Sequence, residues 1–328
     1  MYNTQMKPKS VATKINTKPS NSQPVHYLTV EEAFAGQRID NFLMARLKGV
    51  PKSRIYRMLR GEVRVNKKRV TPAYRIQAND SIRIPPLHLG EKAAQVPPSE
   101  KTRAFLMGRV LYEDEQLLIL NKPSGMSVHG GSTVRVGIIE ALKAAYPRLP
   151  QLELAHRLDS DTSGCLILAK KRSVLRELHM LLREGGIRKI YWALAEGQLT
   201  PAEHRVDAPL LKHHLKGGER LVKVHPEGKS SLTVFHPMEF YTHATLVEVH
   251  LYTGRTHQIR VHAQHIGHPL AGDERYGDTD FNQHMHKLGL KRLFLHAVSL
   301  EFTLPTNGKH ILVKAPLEED LKDLLKKL

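Results

Sequence analysis

The densest run of reactive side chains lies at His156–Lys170, HRLDSDTSGCLILAK, where polar residues stand immediately before an apolar stretch that reads as a buried strand. Loops held by rigid strands are where catalytic groups concentrate. Asp159 and Asp161 are close together with Arg157 beside them. A carboxylate that a cation keeps ionised is a competent nucleophile or base. Spacing alone does not choose between the two acids, and an acid-rich turn paired with surface cations is the plainer alternative.

A second polar run, Thr253–Pro269, reads TGRTHQIRVHAQHIGHP and holds Arg255, Arg260 and four histidines, His257, His262, His265 and His268. His262 and His265 are three apart on an expected helix, yet no carboxylate or cysteine joins them at a familiar ligand spacing, so no metal site is expected. These imidazoles are expected to bond to backbone or face solvent. Arg255 and Arg260 could grip either a phosphate or an active-site carboxylate, since a planar guanidinium makes paired hydrogen bonds to both. The turn Asp161-Thr162-Ser163-Gly164 invites comparison with the aspartic proteases. It is one residue too long, it occurs once, and two shared carboxylates do not account for a strongly basic chain.

Elements able to hold these residues follow from periodicity. Strands are expected at Val110–Tyr112, Leu117–Leu120, Cys165–Ala169, Tyr191–Ala195, Thr245–His250 and Arg292–His296, and helices at Val136–Ala145, Val174–Arg183 and Leu317–Leu328. Strands outnumber helices without alternating strictly with them, so the expectation is an α+β fold with a mixed, largely antiparallel sheet. The lone Cys165 falls where an ordinary aliphatic would serve and reads as a buried strand residue.

Upstream, the composition changes. Residues Leu28–Leu87 carry 13 Lys and Arg against 5 Asp and Glu. Ile39, Phe42, Leu43 and Leu47 recur at helical spacing, and Pro51 opens a second helix that buries Ile55, Met58 and Leu59 and presents Lys52, Arg54, Arg57 and Arg60. Gly61 stops it, and Val63, Val65 and Val70 then alternate about an Asn66-Lys67 turn, a hairpin bearing Arg64, Lys67, Lys68 and Arg69. Residues 1–26 hold Lys7, Lys9, Lys14 and Lys18 without an acid and read as a disordered basic tail. Pro85-Pro86 and Pro97-Pro98 bracket a linker at 88–102, which leaves domains at 27–87 and 103–328.

The whole chain of 328 residues has a net charge of +18. Such a surplus suits a polyanionic partner, because each neutralised phosphate releases counterions, although it also fits a surface that only confers solubility. One cysteine excludes an intramolecular disulfide framework and favours a cytoplasmic setting. No apolar run reaches the ~20 residues of a membrane span, so no membrane partner is expected.

The stretch QRIDNFLMARLKGVPKSRIYRMLRGEVRVNKKRV resembles the small RNA-binding domain named after ribosomal protein S4. HRLDSDTSG, RKIYWAL, TGRTHQIRVHAQHIGHPLAGDERYG and LFLHA, in that order, resemble the signature blocks of the pseudouridine synthases of the ribosomal large-subunit class. LKGVPKS, NKPSGMSVHGGS and LLKHHLKGGER point more narrowly to a branch that modifies several uridines of 23S rRNA. The resemblance runs from about Tyr27 to the C-terminus.

It implies an enzyme that breaks the N1–C1′ bond of a uridine, turns the uracil and joins C5 to C1′. Asp159 corresponds to the catalytic aspartate and Asp161 to a neighbour that the family does not require. Arg255 is similar to the arginine that pairs with that aspartate. Tyr191 matches the tyrosine that stacks on the uracil and is a candidate for handling the C5 proton, Leu295 an apolar wall of the pocket, and Arg157 the residue that fills the space of the flipped nucleotide. The S4-like module would supply phosphate affinity. The implied partner is 23S rRNA or a large-subunit assembly intermediate. No cofactor is expected, because the isomerisation is redox-neutral and there is neither a Gly-rich phosphate loop nor a convincing metal cluster. A monomer is expected, since nothing argues for an obligate oligomer. A non-catalytic RNA-binding assembly factor fits the charge and the S4-like module equally well, and a metal-dependent ribonuclease would use the histidines. What separates these readings is the set Asp159, Tyr191 and Arg255.

Overall fold

A computed structural model describes residues 22–23, 25–47, 50–88, 98–130, 136–200, 203–214 and 220–328. The chain divides into two compact units, Met1–Gln95 and Val96–Leu328.

In the first unit the helical spacing of Ile39, Phe42 and Leu43 and of Ile55, Met58 and Leu59 does what amphipathic periodicity requires. Helices Ile39–Arg46 and Lys52–Gly61 bury these six side chains against Val63, Ile82 and Ile84. Beside them lies a three-stranded antiparallel sheet of His26–Thr29, Ser81–Ile84 and Arg64–Val65. The expected Val63–Val70 hairpin is shorter than its sequence suggested. Val65 and Lys68 exchange two backbone hydrogen bonds around the Asn66-Lys67 turn, and Arg64–Val65 then pairs with Ser81–Ile84. The turn puts both Asn66 and Lys67 at positive φ (48° and 67°), and buried Asp80 pays back that strain by accepting from Asn66 Nδ2 at 2.7 Å.

Two boundaries need correction. The tail expected at 1–26 lies mostly outside the described residues, but Ser22–Gln23 pairs with Leu87–His88 and His26 already opens a strand. The linker expected at 88–102 ends earlier, because Glu100–Met107 is a helix whose Ser99 cap accepts from the Thr102 amide at 3.1 Å; residues 89–97 lie outside the described set.

The second unit is built on one sheet that includes, among the described residues, ten strands. Its main order is His204–Asp207, Leu232–Phe240, Ala244–Leu251, Arg188–Glu196, Leu295–Thr303, Ser163–Ala169, Leu117–Lys122 and Val110–Glu113; His310–Lys314 and Glu153–Leu154 pair alongside. Every pairing is antiparallel except that of Ser163–Ala169 with Leu295–Thr303. Helices Ile138–Ala145, Arg172–Glu184, Gln258–His265, Thr279–Lys287 and Glu319–Leu325 complete this α+β unit. The expected strand at Arg292–His296 starts only at Leu295, because the Phe294 amide bonds to Ala271 O (2.9 Å) outside the ladder. Cys165 is fully buried, and burial pushes its thiol up to about 12, so it packs and does not react.

The single parallel junction brings the two halves of the site together. Gly164 pairs with Ala297 at φ +104°, and a Cβ there would stand 2.3 Å from the Ala297 carbonyl oxygen. Only glycine allows that approach, which sets the loop before Ser163 beside Leu295.

Candidate active site

Asp159 sits in the turn that leads into Ser163–Ala169, with the Thr162 amide donating to its carbonyl at 3.2 Å. Residues 122–125 hold this turn from beneath. Lys122 is fully buried, and its Nζ donates to the carbonyl oxygens of Pro123 (2.9 Å), Ser160 (2.7 Å) and Thr162 (2.8 Å). The Gly125 amide donates to Ser160 O at 2.9 Å and Ser124 Oγ to Asp161 O at 2.8 Å. Burial pushes the Lys122 ammonium down to about 7; the charges of Asp161 and Asp159 oppose that shift and Arg292 adds to it. Three carbonyl acceptors need all three N–H bonds, which only the protonated amine has, so the bonding itself favours the ammonium. The sequence reading gave Lys122 no role. Its signal was a lysine at the end of the all-apolar run Leu117–Leu120, a position that a strand buried on both faces rarely gives to a charge.

The cation that faces Asp159 is Arg260, with Nη1 3.9 Å from Oδ2. This corrects the pairing expected for Arg255. Arg255 is exposed at the rim, its Nε donating to Ser230 O (3.1 Å) and its amide to Gln258 Oε1 (3.0 Å). Arg260 instead lies on the buried face of helix Gln258–His265, where Asp273 grips it through Nε–Oδ2 at 2.7 Å and Nη2–Oδ1 at 2.6 Å. That fork leaves Nη1 to point at Asp159. Burial alone would raise the Asp273 carboxyl, but Arg260 and the Tyr276 and Arg275 amides hold it below the usual carboxylate range. The two arginines have the same chemistry; Arg255 stands exposed in the loop before the helix, whereas Arg260 is carried inward on it.

His257 precedes that helix at φ 55° and brings Nε2 to 3.8 Å from Asp159 Oδ2. Burial pushes its imidazole below the ordinary value against the pull of Asp159, so the ring is neutral. The Val222 amide donates to the Tyr276 hydroxyl, which is left to donate in turn to His257 Nδ1 at 2.8 Å, so that the neutral ring carries its proton on Nε2 toward the carboxylate. His262 bonds through both nitrogens, to Thr233 Oγ1 and Ala208 O at 2.9 Å each, and His268 Nδ1 meets Glu196 O at 2.7 Å. Among the described residues no three His, Cys, Asp or Glu side chains converge as metal ligands.

Asp159, Tyr191, Leu295, Arg157, Arg255 and Arg260 line one cavity of about 650 Å³, within the range of ligand sites. Tyr191 stands at a bulge, since Ile190 opposes Ser299 and Trp192 opposes His296, so two residues of the facing strand oppose Tyr191 alone. Burial, and then the charge of Asp159, push its phenol well above the ordinary range, so the hydroxyl is neutral before substrate enters. Leu295 is buried and Arg157 is exposed where this cavity meets a second one, which also holds Asp159, Asp161, Lys291 and Arg292.

The basic side chains of the first unit separate into two groups. Arg57, Arg60, Lys67, Lys68 and Arg69 are exposed. Arg54 is committed to Glu62 (2.6 and 2.9 Å), and Arg64 donates to Gly61 O, at the end of the preceding helix, and to Val63 O. The Lys52 side chain lies outside the described set.

The second unit thus sets an aspartate facing an arginine in a pocket walled by a tyrosine and a leucine, and its sequence is similar to known proteins. Residues 116–265 match the family model described as RNA pseudouridylate synthase, and residues 37–82 match the S4 domain. The chain belongs to the RNA pseudouridylate synthase family. It is 53% identical over 307 residues to the ribosomal large subunit pseudouridine synthase C of Pasteurella multocida, covering 93% of this chain and 94% of that protein. It is 54% identical over 305 residues to the enzyme of the same name from Escherichia coli K12, covering 92% and 95%. Among solved structures, human RNA pseudouridylate synthase domain containing 4 aligns at a TM-score of 0.57 and 25% identity, covering 69% of this chain and 94% of that one.

Proposed function

We propose that this protein isomerises uridines of 23S ribosomal RNA to pseudouridine, with Asp159 as the catalytic carboxylate. The observation that carries this reading is the Asp159 carboxylate in a cavity walled by Tyr191 and Leu295, with the Arg260 guanidinium facing it at 3.9 Å. A purely RNA-binding factor has no use for a carboxylate so buttressed from below and from the side.

The residues divide the work by their surroundings. The Asp159 carboxylate opens the reaction at the sugar, either by attack at C1′ or by removal of the C2′ proton. Arg260 balances its charge, and Asp273 fixes Arg260. The Tyr191 ring offers a flat apolar face to the uracil and Leu295 offers the opposing wall. A neutral phenol donates a hydrogen bond more readily than it accepts a proton, so Tyr191 serves the C5 proton only if substrate lowers the cost of ionising it. A base stacked in folded RNA must first be flipped out, at a cost of a few kcal/mol. Arg157, exposed between the two cavities, is placed to fill the gap. The S4-like unit adds phosphate affinity through Arg57, Arg60 and the Lys67–Arg69 turn, with Lys52 as a further contributor; Arg54 and Arg64, already bonded within the protein, contribute less.

The test is pseudouridine mapping on 23S rRNA from cells lacking the protein, complemented with wild type or with Asp159→Asn. Sites that disappear, return with wild type and stay absent with Asp159→Asn are the expected result. An unchanged map in the deficient cells would reject the assignment.

A further inference from the structure

The reaction above leaves one charged wall of the cavity without a task. Lys189 shares a strand face with Tyr191, two residues on, which separates their Cα atoms by about 6.6 Å. It is 7% exposed and lines the same cavity. Among the described residues no side chain or carbonyl oxygen accepts a hydrogen bond from its ammonium, and no carboxylate pairs with it. Its Nζ is not one of the sealed polar atoms, so it opens onto the cavity. Burial pushes the ammonium below its ordinary value.

The neighbours of Lys189 do not supply the missing charge. His156 is pushed down to about 4 by burial and then by Lys189 itself, and its Nε2 already accepts from the Ile167 amide at 3.1 Å, so it is neutral and occupied. Arg183, in the last turn of helix Arg172–Glu184, is exposed and borders the same space. Asp159 is the one acid among the described residues lining the cavity, and it is flanked by Arg260 and His257. A buried cation left unpaired is costly, and a neutral uracil carbonyl would satisfy one N–H without balancing the charge. A phosphodiester oxygen does both.

We propose that Lys189, with Arg183 beside it, forms a subsite for one backbone phosphodiester of the strand whose uridine enters the cavity. The identity of that strand rests on the isomerase reading; the anion site rests on the cavity alone. Holding the phosphate on the strand face of Tyr191 would set how deep the base can slide along that ring, so Lys189 contributes to positioning as well as to affinity.

The experiment uses the full chain and a stem–loop fragment of 23S rRNA with a target uridine, made with all phosphates or with a single neutral methylphosphonate at each linkage around that uridine. Binding is read by fluorescence anisotropy and pseudouridine formation separately. Lys189→Met should weaken binding of the all-phosphate RNA about tenfold, the size of one charge-assisted hydrogen bond. It should also lower the slope of log Kd against log salt by about 0.7–0.9, while Lys189→Arg should retain most of the affinity. One methylphosphonate should weaken wild type by a similar factor and leave Lys189→Met unaffected. Without RNA, Lys189→Met should melt no earlier than wild type, because an unpaired buried charge has gone. Losses that add at every linkage, or an unchanged salt slope, would overturn the subsite. Wild type that binds the fragment but forms no pseudouridine would instead reject the isomerase reading, and the binding comparison would still decide the subsite.

Discussion

Asp159 depends on neighbours that do no chemistry themselves. Arg260 is held by two short hydrogen bonds to Asp273, a side chain with no exposure. Arg260→Met should therefore abolish turnover and also cost about 3–5 kcal/mol of stability, since it strands a buried carboxylate. The double variant Arg260→Met/Asp273→Leu should recover most of that stability in urea melts and none of the activity. Arg255→Met, at an exposed position, should change stability by only about 0.5 kcal/mol. If Arg255→Met lost activity and Arg260→Met kept it, Arg255 and not Arg260 would be the partner of Asp159 in the reaction. Lys122 is a second such neighbour. Lys122→Met orphans three carbonyls of the Asp159 turn, for which we expect a loss of about 3 kcal/mol or more in denaturant melts and a fall in kcat larger than the change in RNA affinity.

At the scale of elements, the basic turn of the S4-like unit is a contact whose geometry is fixed in advance. Asp80 accepts from Asn66 Nδ2 and the Val65 and Lys68 backbones bond to each other across the turn, so Lys67, Lys68 and Arg69 stand on or beside a turn whose backbone is already set before binding. Neutralising these three to Gln should lower the slope of log Kd against log salt by about two to three on folded RNA. Arg54→Gln should lower it by less than one, because that guanidinium is already paired with Glu62. Equal slopes for the two variants would show that the turn does not meet phosphate. The pairing of Arg54 lay outside sequence reasoning for a geometric reason. Glu62 comes eight residues later, just past the end of the helix, where no i,i+4 rule reaches.

At the scale of the whole molecule, acid should loosen this protein before it titrates its carboxylates. His156 is half-buried and His296 fully buried, and each is pushed from 6.5 to about 4, chiefly by loss of solvent around the ring, so both are neutral. The unfolded chain binds protons on both between those values and the folded chain does not. Their contribution is therefore complete above pH 6.5 and is lost as pH falls toward 4, up to roughly 3 kcal/mol for each histidine. The melting temperature should drop steeply between pH 6.5 and 4.5, and a flat profile across that window would show that one or both rings are protonated in the fold. His296 also bonds Ser163 Oγ at 2.8 Å across the parallel junction, so acid should reduce activity along with stability.

The sequence by itself determined the α+β class, the two units, the apolar faces of both S4-like helices and the strand behind Asp159. These follow from periodicity and turn chemistry, which are local and are written in consecutive residues. It also brought Asp159, Tyr191 and Leu295 to attention, through short blocks whose order matches a known family. Tertiary structure alone decided the rest. Which of two chemically equal arginines meets Asp159 depends on where helix Gln258–His265 begins, which leaves Arg255 in the loop before it, and on Asp273 thirteen residues from Arg260. That Lys122 holds the catalytic turn depends on contacts up to 40 residues distant. That Lys189 lines the cavity with no carboxylate paired to it among the described residues depends on what the surrounding elements bring to that wall. Such features are properties of distance between segments remote in sequence, and no local pattern encodes them.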